Sequence, residues 1–88
     1  MSNREQAGLT EMDLSTLVAI LSFGSEGATS GQVAGKARFR TMSPRETAAR
    51  HCIRLVAAGY AKRGGTRMFP KWRITPAGRA ALANGDGK

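Results

Sequence analysis

Hydrophobic residues recur at helical spacing early in the chain, after a polar stretch of eight residues. Four of them are related by steps of three or four positions, as on one helix face: Leu14, Leu17, Val18 and Leu21. Thr10 and Asp13, three residues apart, fit a capping box at the start of this helix. The pattern predicts a first helix over about 11–23 that ends at Gly24, and a flexible arm over 1–8.

A second, shorter helix is predicted to begin at Thr29 or Ser30 and to end at about Arg38. Thr29 and Gln32 again have capping-box spacing. The turn before this helix leaves room for a very short strand near Ala28. The apolar positions of the helix are few: Val33, Ala34 and Ala37.

The third helix has the clearest start. Ser43 stands at the cap position, Pro44 at the first helical position and Glu46 three residues after the cap. The helix is predicted to continue to Ala58, with Gly59 as a left-handed C-cap. Its apolar face is formed by Ala48, Ala49, Cys52, Ile53, Leu55 and Val56. Its opposite face is polar and basic, and is formed by Thr47, Arg50, His51 and Arg54.

Beyond the third helix the pattern changes to a period of two, which is typical of strands. Residues 60–63 predict one strand and 71–74 the returning strand of a hairpin. Gly64 and Gly65 predict the turn, which needs positive φ. We expect the connecting loop to extend over about 64–70.

A last helix is predicted from the cap-plus-proline pair Thr75 and Pro76, ending near Asn84. With 88 residues the chain is expected to form one domain, over 9–84, followed by a flexible tail over 85–88. The predicted fold class is α+β, mostly α, with a three-helix core, a β-hairpin and a C-terminal helix.

Positive charge is concentrated in the second half of the chain. Between positions 36 and 79 there are twelve Lys or Arg residues and one acid, Glu46, while the first thirty-five residues carry Arg4 and four acids. The formal net charge is +8. A basic helix next to a basic hairpin forms a localised positive field that suits the phosphates of a nucleic-acid duplex.

The candidate DNA-binding residues lie just before the third helix, on its polar face or on the hairpin. Arg45, at the helix start, is expected to reach a guanine edge or a phosphate. The full set is Arg38, Arg40, Ser43, Arg45, Thr47, Arg50, His51, Arg54, Lys62, Arg63, Arg67 and Lys71.

Each of these residues also has a plainer interpretation. The basic face could be a solvated helix surface, although it has no acid at i+4 apart from Glu46, which can pair with Arg50. The hairpin cations could protect a sheet edge from aggregation.

Other chemistry is sparse. Cys52 and His51 are adjacent on a helix and point about 100° apart, so they cannot form a nucleophile–base pair. A single cysteine excludes an intrachain disulfide and favours a reducing interior. We expect no enzyme activity, no metal and no cofactor. The longest apolar run, 17–21, is too short to span a membrane, so we expect a cytoplasmic protein.

The aromatic residues are expected to serve packing. Tyr60, Trp72, Phe23 and Phe39 are most simply core residues. Phe69 has no obvious core position, and packing within its loop is favoured over base stacking.

The order of elements resembles the winged helix-turn-helix superfamily, especially small bacterial regulators of the MarR and PadR type. Two segments carry the resemblance, Leu55-Val-Ala-Ala-Gly-Tyr-Ala-Lys-Arg63 and Trp72-Arg-Ile-Thr-Pro-Ala-Gly-Arg-Ala-Ala-Leu82. The resemblance implies that the helix over 44–58 enters the major groove and that the loop over 64–70, the wing, contacts backbone or minor groove. The long terminal helices of the MarR dimer have no counterpart here.

Three functions remain open at this stage. The leading expectation is sequence-specific binding of double-stranded DNA by a bacterial or phage-encoded, nucleoid-associated regulator of transcription. The alternative is a protein–protein adaptor or inhibitor that uses the basic face on an acidic partner. RNA binding is a third possibility, and the chain could act as a homodimer.

Overall fold

Four α-helices and one antiparallel hairpin make up residues 9–85, which are the residues that the computed structural model describes. The arm over 1–8 and residues 86–88 of the tail lie outside them. The fold is α+β and mostly helical, as the sequence predicts. In chain order the elements are α1 (Glu11–Ser22), α2 (Ser30–Ala37), α3 (Pro44–Ala57), β1 (Ala61–Gly65), β2 (Pro70–Ile74) and α4 (Pro76–Gly85).

The first two helices begin at the capping boxes that the sequence predicts. The Thr10 hydroxyl accepts the Asp13 N–H at 3.1 Å, and the Asp13 carboxylate accepts the Thr10 N–H at 3.0 Å. Thr29 and Gln32 form the same reciprocal pair at 3.2 and 2.9 Å. None of the helices within residues 9–85 is long and apolar enough to cross a membrane.

The start of α3 is correct in position, but its predicted cap is wrong. The helix begins at Pro44, yet the Ser43 side chain makes no capping hydrogen bond. Ser43 has ψ 75°, whereas the capping threonines of α1 and α2 have ψ 172° and 165°. Only the Ser43 carbonyl contributes, by accepting the Thr47 N–H at 2.9 Å. At the other end Gly59 has φ 87°, as expected of a left-handed C-cap.

The core lies where α1, α2 and α3 meet the hairpin, and α3 contributes Ala48, Cys52 and Leu55 to it. Burial raises the pKa of the Cys52 thiol to about 12, so the thiol stays protonated at neutral pH. Ile53 was predicted to share this face but is 60% exposed. Each residue turns a helix by about 100°, which carries Ile53 away from the line of the three buried residues.

The hairpin also differs from its predicted turn. Gly64 and Gly65 belong to β1 and pair with Lys71 and Pro70, so the connection is the shorter segment 66–69, here named the hairpin tip. Of the two glycines only Gly65 has positive φ, at 77°. A Cβ on Gly65 would come within 2.5 Å of the Phe69 carbonyl oxygen. The register therefore depends on glycine at this position.

The base of the hairpin is fixed to the segment before α2. Ala28 and Trp72 exchange two backbone hydrogen bonds of 2.9 and 2.7 Å, which is the very short strand expected near Ala28. The indole N–H of Trp72 donates to the Ser30 hydroxyl at 3.0 Å. Trp72 is buried, as predicted, and Tyr60, Phe23 and Phe39 pack against the core.

The start of α4 is held against the end of α3. The Thr75 hydroxyl accepts the Gly78 N–H at 3.0 Å and donates to the Gly59 carbonyl at 2.7 Å. A Cβ on Gly78 would collide with the Tyr60 carbonyl oxygen. Glycine at 78 thus permits a close approach between α4 and the chain that leads into β1.

We expect Gly78→Ala to destabilise the domain by about 2 kcal/mol, because the added methyl group must displace backbone. Gly35→Ala is the matched control, since Gly35 also lies in a helix but has open space around its Cβ position. That control should be stabilising by about 0.5–1 kcal/mol through helix propensity. Urea unfolding of both variants measures the difference, and equal effects would contradict the close packing of Gly78.

Candidate nucleic-acid interface

A buried carboxylate connects α1 to the polar flank of α3. Asp13 is fully buried, and its Oδ1 lies 2.6 Å from His51 Nδ1. The Arg54 guanidinium reaches both carboxylate oxygens, with Nη2 at 3.0 Å from Oδ2 and Nε at 3.4 Å from Oδ1. The same Oδ2 accepts the Thr10 N–H of the capping box. One carboxylate therefore completes the start of α1 and binds two side chains of α3.

The pKa of Asp13 follows from these contacts. Burial on its own raises that pKa, but hydrogen bonds from Arg54, the Thr10 backbone and His51 outweigh it and lower the pKa to about 2. Asp13 is therefore ionised at neutral pH and acts only as an acceptor. Consequently His51 must carry its proton on Nδ1. The hydrogen bond to Asp13 in turn raises the pKa of Arg54.

The plainer interpretation of His51 and Arg54 as solvated side chains is wrong, because both bind an acid. Their acid comes from α1, 41 residues before Arg54 and 38 before His51, so no rule for pairs within one helix could find it. A usable signal was the position of Asp13 on the same helix face as Leu17 and Ile20, which are both buried. A carboxylate on a core-facing position needs a partner of opposite charge.

The two α3 side chains differ in how far they remain available. The Arg54 side chain is 51% exposed, while its guanidinium binds Asp13. His51 is mostly covered, and its ring lies 6.2 Å from that of Phe39. His51 therefore mainly stabilises the position of α3. Arg54 stabilises the fold through Asp13 and also presents part of its side chain to solvent.

Two arginines of α3 are exposed on other sides of the helix. Arg50 forms no ion pair with Glu46 or with any other residue in the range 9–85, so the intrahelical pair considered from the sequence is not present. Arg45 lies against α2, with its Nε 3.5 Å from where a Cβ of Gly31 would be. Arg45 also borders a cleft of about 370 Å³ between the start of α2 and the hairpin tip.

The remaining candidates lie in the α2–α3 connection or in the first turn of α3. Arg38 ends α2 in the left-handed conformation with φ 57°, and Arg40 follows it. Thr47 is partly buried, and its hydroxyl lies 3.0 Å from that of Thr41. Thr47 and Ser43 thus help to shape the connection, and a contact of either with DNA remains a prediction.

The hairpin places cations on both of its faces. Lys62 lies directly opposite Arg73, and Lys71 shares that face because it pairs with Gly64. Arg73 was missing from the candidate set and adds a third cation there. Like charges directly opposite each other destabilise a sheet, so this face gains when an anion binds.

Arg63 lies on the other face, opposite Trp72, and its guanidinium donates to the Arg67 carbonyl at 3.4 Å. Arg67 itself lies in the exposed hairpin tip. The two arginines that were expected to flank a glycine turn are thus linked to each other across the end of the hairpin.

The exposed cations of α3 and the hairpin are here named the basic surface: Arg45, Arg50, Arg54, Lys62, Arg63, Arg67, Lys71 and Arg73. The same elements also carry exposed apolar side chains. Ile53 lies on α3, Met42 in the connection before it, and Met68 and Phe69 in the hairpin tip. The expectation that Phe69 packs within its loop is wrong, because that side chain is 71% exposed. Exposed charge and exposed apolar area therefore occur on the same parts of the chain, α3 with the connection before it and the hairpin.

The Asp13 cluster predicts how stability depends on pH. Since the pKa of Asp13 is lowered from 3.8 to about 2 on folding, its stabilisation is complete above about pH 5 and is lost as the pH falls towards 2. That loss should be about 2 kcal/mol. Urea unfolding at pH 7, 4 and 2.5 measures it, and Asp13→Asn should remove this part of the pH dependence. Parallel pH profiles for the parent protein and the variant would contradict the cluster.

Comparison with models of protein families, with curated proteins and with solved structures finds no match for this chain. The function must therefore be argued from the chain's own residues. Those residues form a basic surface on α3 and the hairpin, attached to α1 through one buried carboxylate.

Proposed function

We propose that this chain is a winged-helix protein that binds double-stranded DNA and regulates transcription. In this proposal α3 lies in the major groove and the hairpin is the wing, with its 64–70 segment on the backbone or in the minor groove. The element order supports the assignment, since three helices precede the hairpin and one follows it.

The observation that carries the proposal is a set of exposed cations without acidic partners. Arg45, Arg50, Lys62 and Arg63 form no ion pair with any other residue in the range 9–85. Their mutual repulsion weakens the free protein slightly and is relieved when phosphates approach. Each neutralised phosphate also releases counterions, which is the main source of affinity for a duplex.

Specificity is assigned to the start of α3. Arg45 lies in its first turn, where recognition helices reach base edges, and a guanidinium can bind guanine O6 and N7 together. The position of Arg45 beside the cleft also allows a phosphate contact. A contact with guanine depends on the DNA sequence, whereas a contact with a phosphate does not. Binding measurements on duplexes of different sequence therefore separate the two roles of Arg45.

A protein partner is the second candidate function. Ile53 is 60% exposed on α3, one turn from the exposed Arg50, and an apolar side chain beside a cation also suits an acidic protein with an apolar patch. A duplex would instead contact Ile53 through thymine methyl groups. Selection of bound sites from a random duplex pool separates these functions, since enrichment of a motif supports DNA binding and its absence favours the protein partner.

Arg50→Ala should weaken duplex binding and lower the slope of log affinity against log salt by about 0.9, the value for one phosphate. Arg79→Ala is the charge-matched control, because Arg79 is an exposed cation on α4 that lies outside the proposed surface. Its salt slope should equal that of the parent protein. Equal losses in the two variants would show that net charge, and not this surface, determines binding.

Arg45→Ala should cost about 1–3 kcal/mol at one base pair of the selected motif and flatten the preference there. Competition binding against single-base variants of the motif measures this change. Uniform weakening on every sequence would show instead that Arg45 contacts a phosphate.

A further inference from the structure

The hairpin tip presents two large apolar side chains to solvent. Met68 is 80% exposed and Phe69 is 71% exposed. Burying apolar side chains of this size against a partner stabilises a complex. These exposed side chains add little of this stabilisation to the fold itself, so a partner that covers them can gain it.

The backbone of the tip is ordered by its own hydrogen bonds. The Thr66 N–H donates to the Phe69 carbonyl at 3.2 Å, and the Phe69 N–H donates to the Thr66 hydroxyl at 2.9 Å. Gly65 permits the close approach beneath them. The backbone therefore presents the two apolar side chains from a defined position, so little backbone entropy is lost when a partner covers them.

The surroundings of the tip select an anionic partner. Arg67 lies within the tip, Arg63 is bonded to its carbonyl, and Lys71 follows on β2. A nucleic-acid duplex and an anionic membrane both combine negative charge with an apolar interior. The shape of the site favours the duplex, because the tip borders a cleft of about 370 Å³ that is lined by Met68 and Phe69 and by the cation Arg45. A projecting sugar–phosphate backbone suits such a concave site with a cation in its lining. A flat bilayer has no ridge to fill that cleft.

We propose that Met68 and Phe69 form a wedge that enters the minor groove and partly unstacks one base step, kinking the DNA. This inference rests on the proposed DNA binding and adds to it a mode of binding. Apolar wedges of Phe and Met between base steps are a known means of bending a duplex from the minor groove. Flexible steps such as TA unstack most easily, so the wedge selects deformable sequence without hydrogen bonds to bases.

The test compares two duplexes of about 30 base pairs. An alternating d(TA) duplex has a TA step at every second base step, and a d(A)·d(T) tract has none. The adenine analogue 2-aminopurine, placed in the alternating duplex, brightens when its base unstacks. A dye pair on the ends of each duplex reports the bend.

The parent protein should brighten and bend the alternating duplex. Phe69→Ala should abolish both signals and weaken binding to that duplex about tenfold, which is the effect of one lost base–aromatic stack. Its affinity for the A-tract should change much less. Arg67→Ala should instead lower the salt slope on both duplexes and leave the brightening of 2-aminopurine unchanged.

Two controls keep the result interpretable. Val18→Ala removes another exposed apolar side chain, 52% exposed on α1, and should leave every signal unchanged. Circular dichroism and thermal unfolding of Phe69→Ala should match those of the parent, because the side chain makes little contact with the core.

The outcomes separate the wedge from the DNA binding on which it rests. Binding of both duplexes without brightening or bending, or with signals that Phe69→Ala retains, overturns the wedge and leaves DNA binding in place. Failure to bind either duplex at low salt overturns both proposals. Binding to phosphatidylserine vesicles under those conditions would then assign the tip to a membrane surface.

Discussion

The placement of α3 depends on a single buried carboxylate. Asp13 closes the capping box of α1 and, with the same two oxygens, binds His51 and Arg54 on the flank of α3. Burying a charge is costly unless it is paired and hydrogen-bonded. Here Oδ1 binds His51 and Arg54 of α3, and Oδ2 binds both the Thr10 N–H at the start of α1 and Arg54. The start of one helix and the rotation of another about its axis are therefore fixed by the same atoms. Because the rotation of α3 is fixed, the side chains that α3 exposes to solvent are fixed as well.

This arrangement divides the positive charge of α3 into an internal and an external part. Arg54 neutralises Asp13, whereas Arg45 and Arg50 remain exposed beyond the cluster. A phosphate approaching Arg54 would compete with the internal ion pair, so this residue couples stability to any binding that occurs there. Arg50 lacks that coupling. In the proposed complex the two arginines therefore play different parts, although they are four residues apart on one helix.

Features set by neighbouring residues could be predicted from the sequence. The capping boxes at Thr10 and Thr29, the start of α3 at Pro44 and the helix end at Gly59 all depend on backbone preferences over a few positions. The pairing of Asp13 with α3 could not be predicted, because the partners meet only after the helices pack. The prediction of the hairpin turn was wrong for a related reason. Two adjacent glycines resemble a turn, and only their pairing with Lys71 and Pro70 shows that they are strand residues.

The Trp72 anchorage bears on where strain would accumulate in the proposed complex. Two backbone hydrogen bonds from Trp72 to Ala28 and the indole hydrogen bond to Ser30 fix the hairpin to the segment at the start of α2. The distance between α3 and the hairpin tip is then a property of the folded protein, fixed before any partner arrives. When two bodies of unequal stiffness are pressed together, the more compliant one deforms. On a double helix clamped by this scaffold, the base steps would yield.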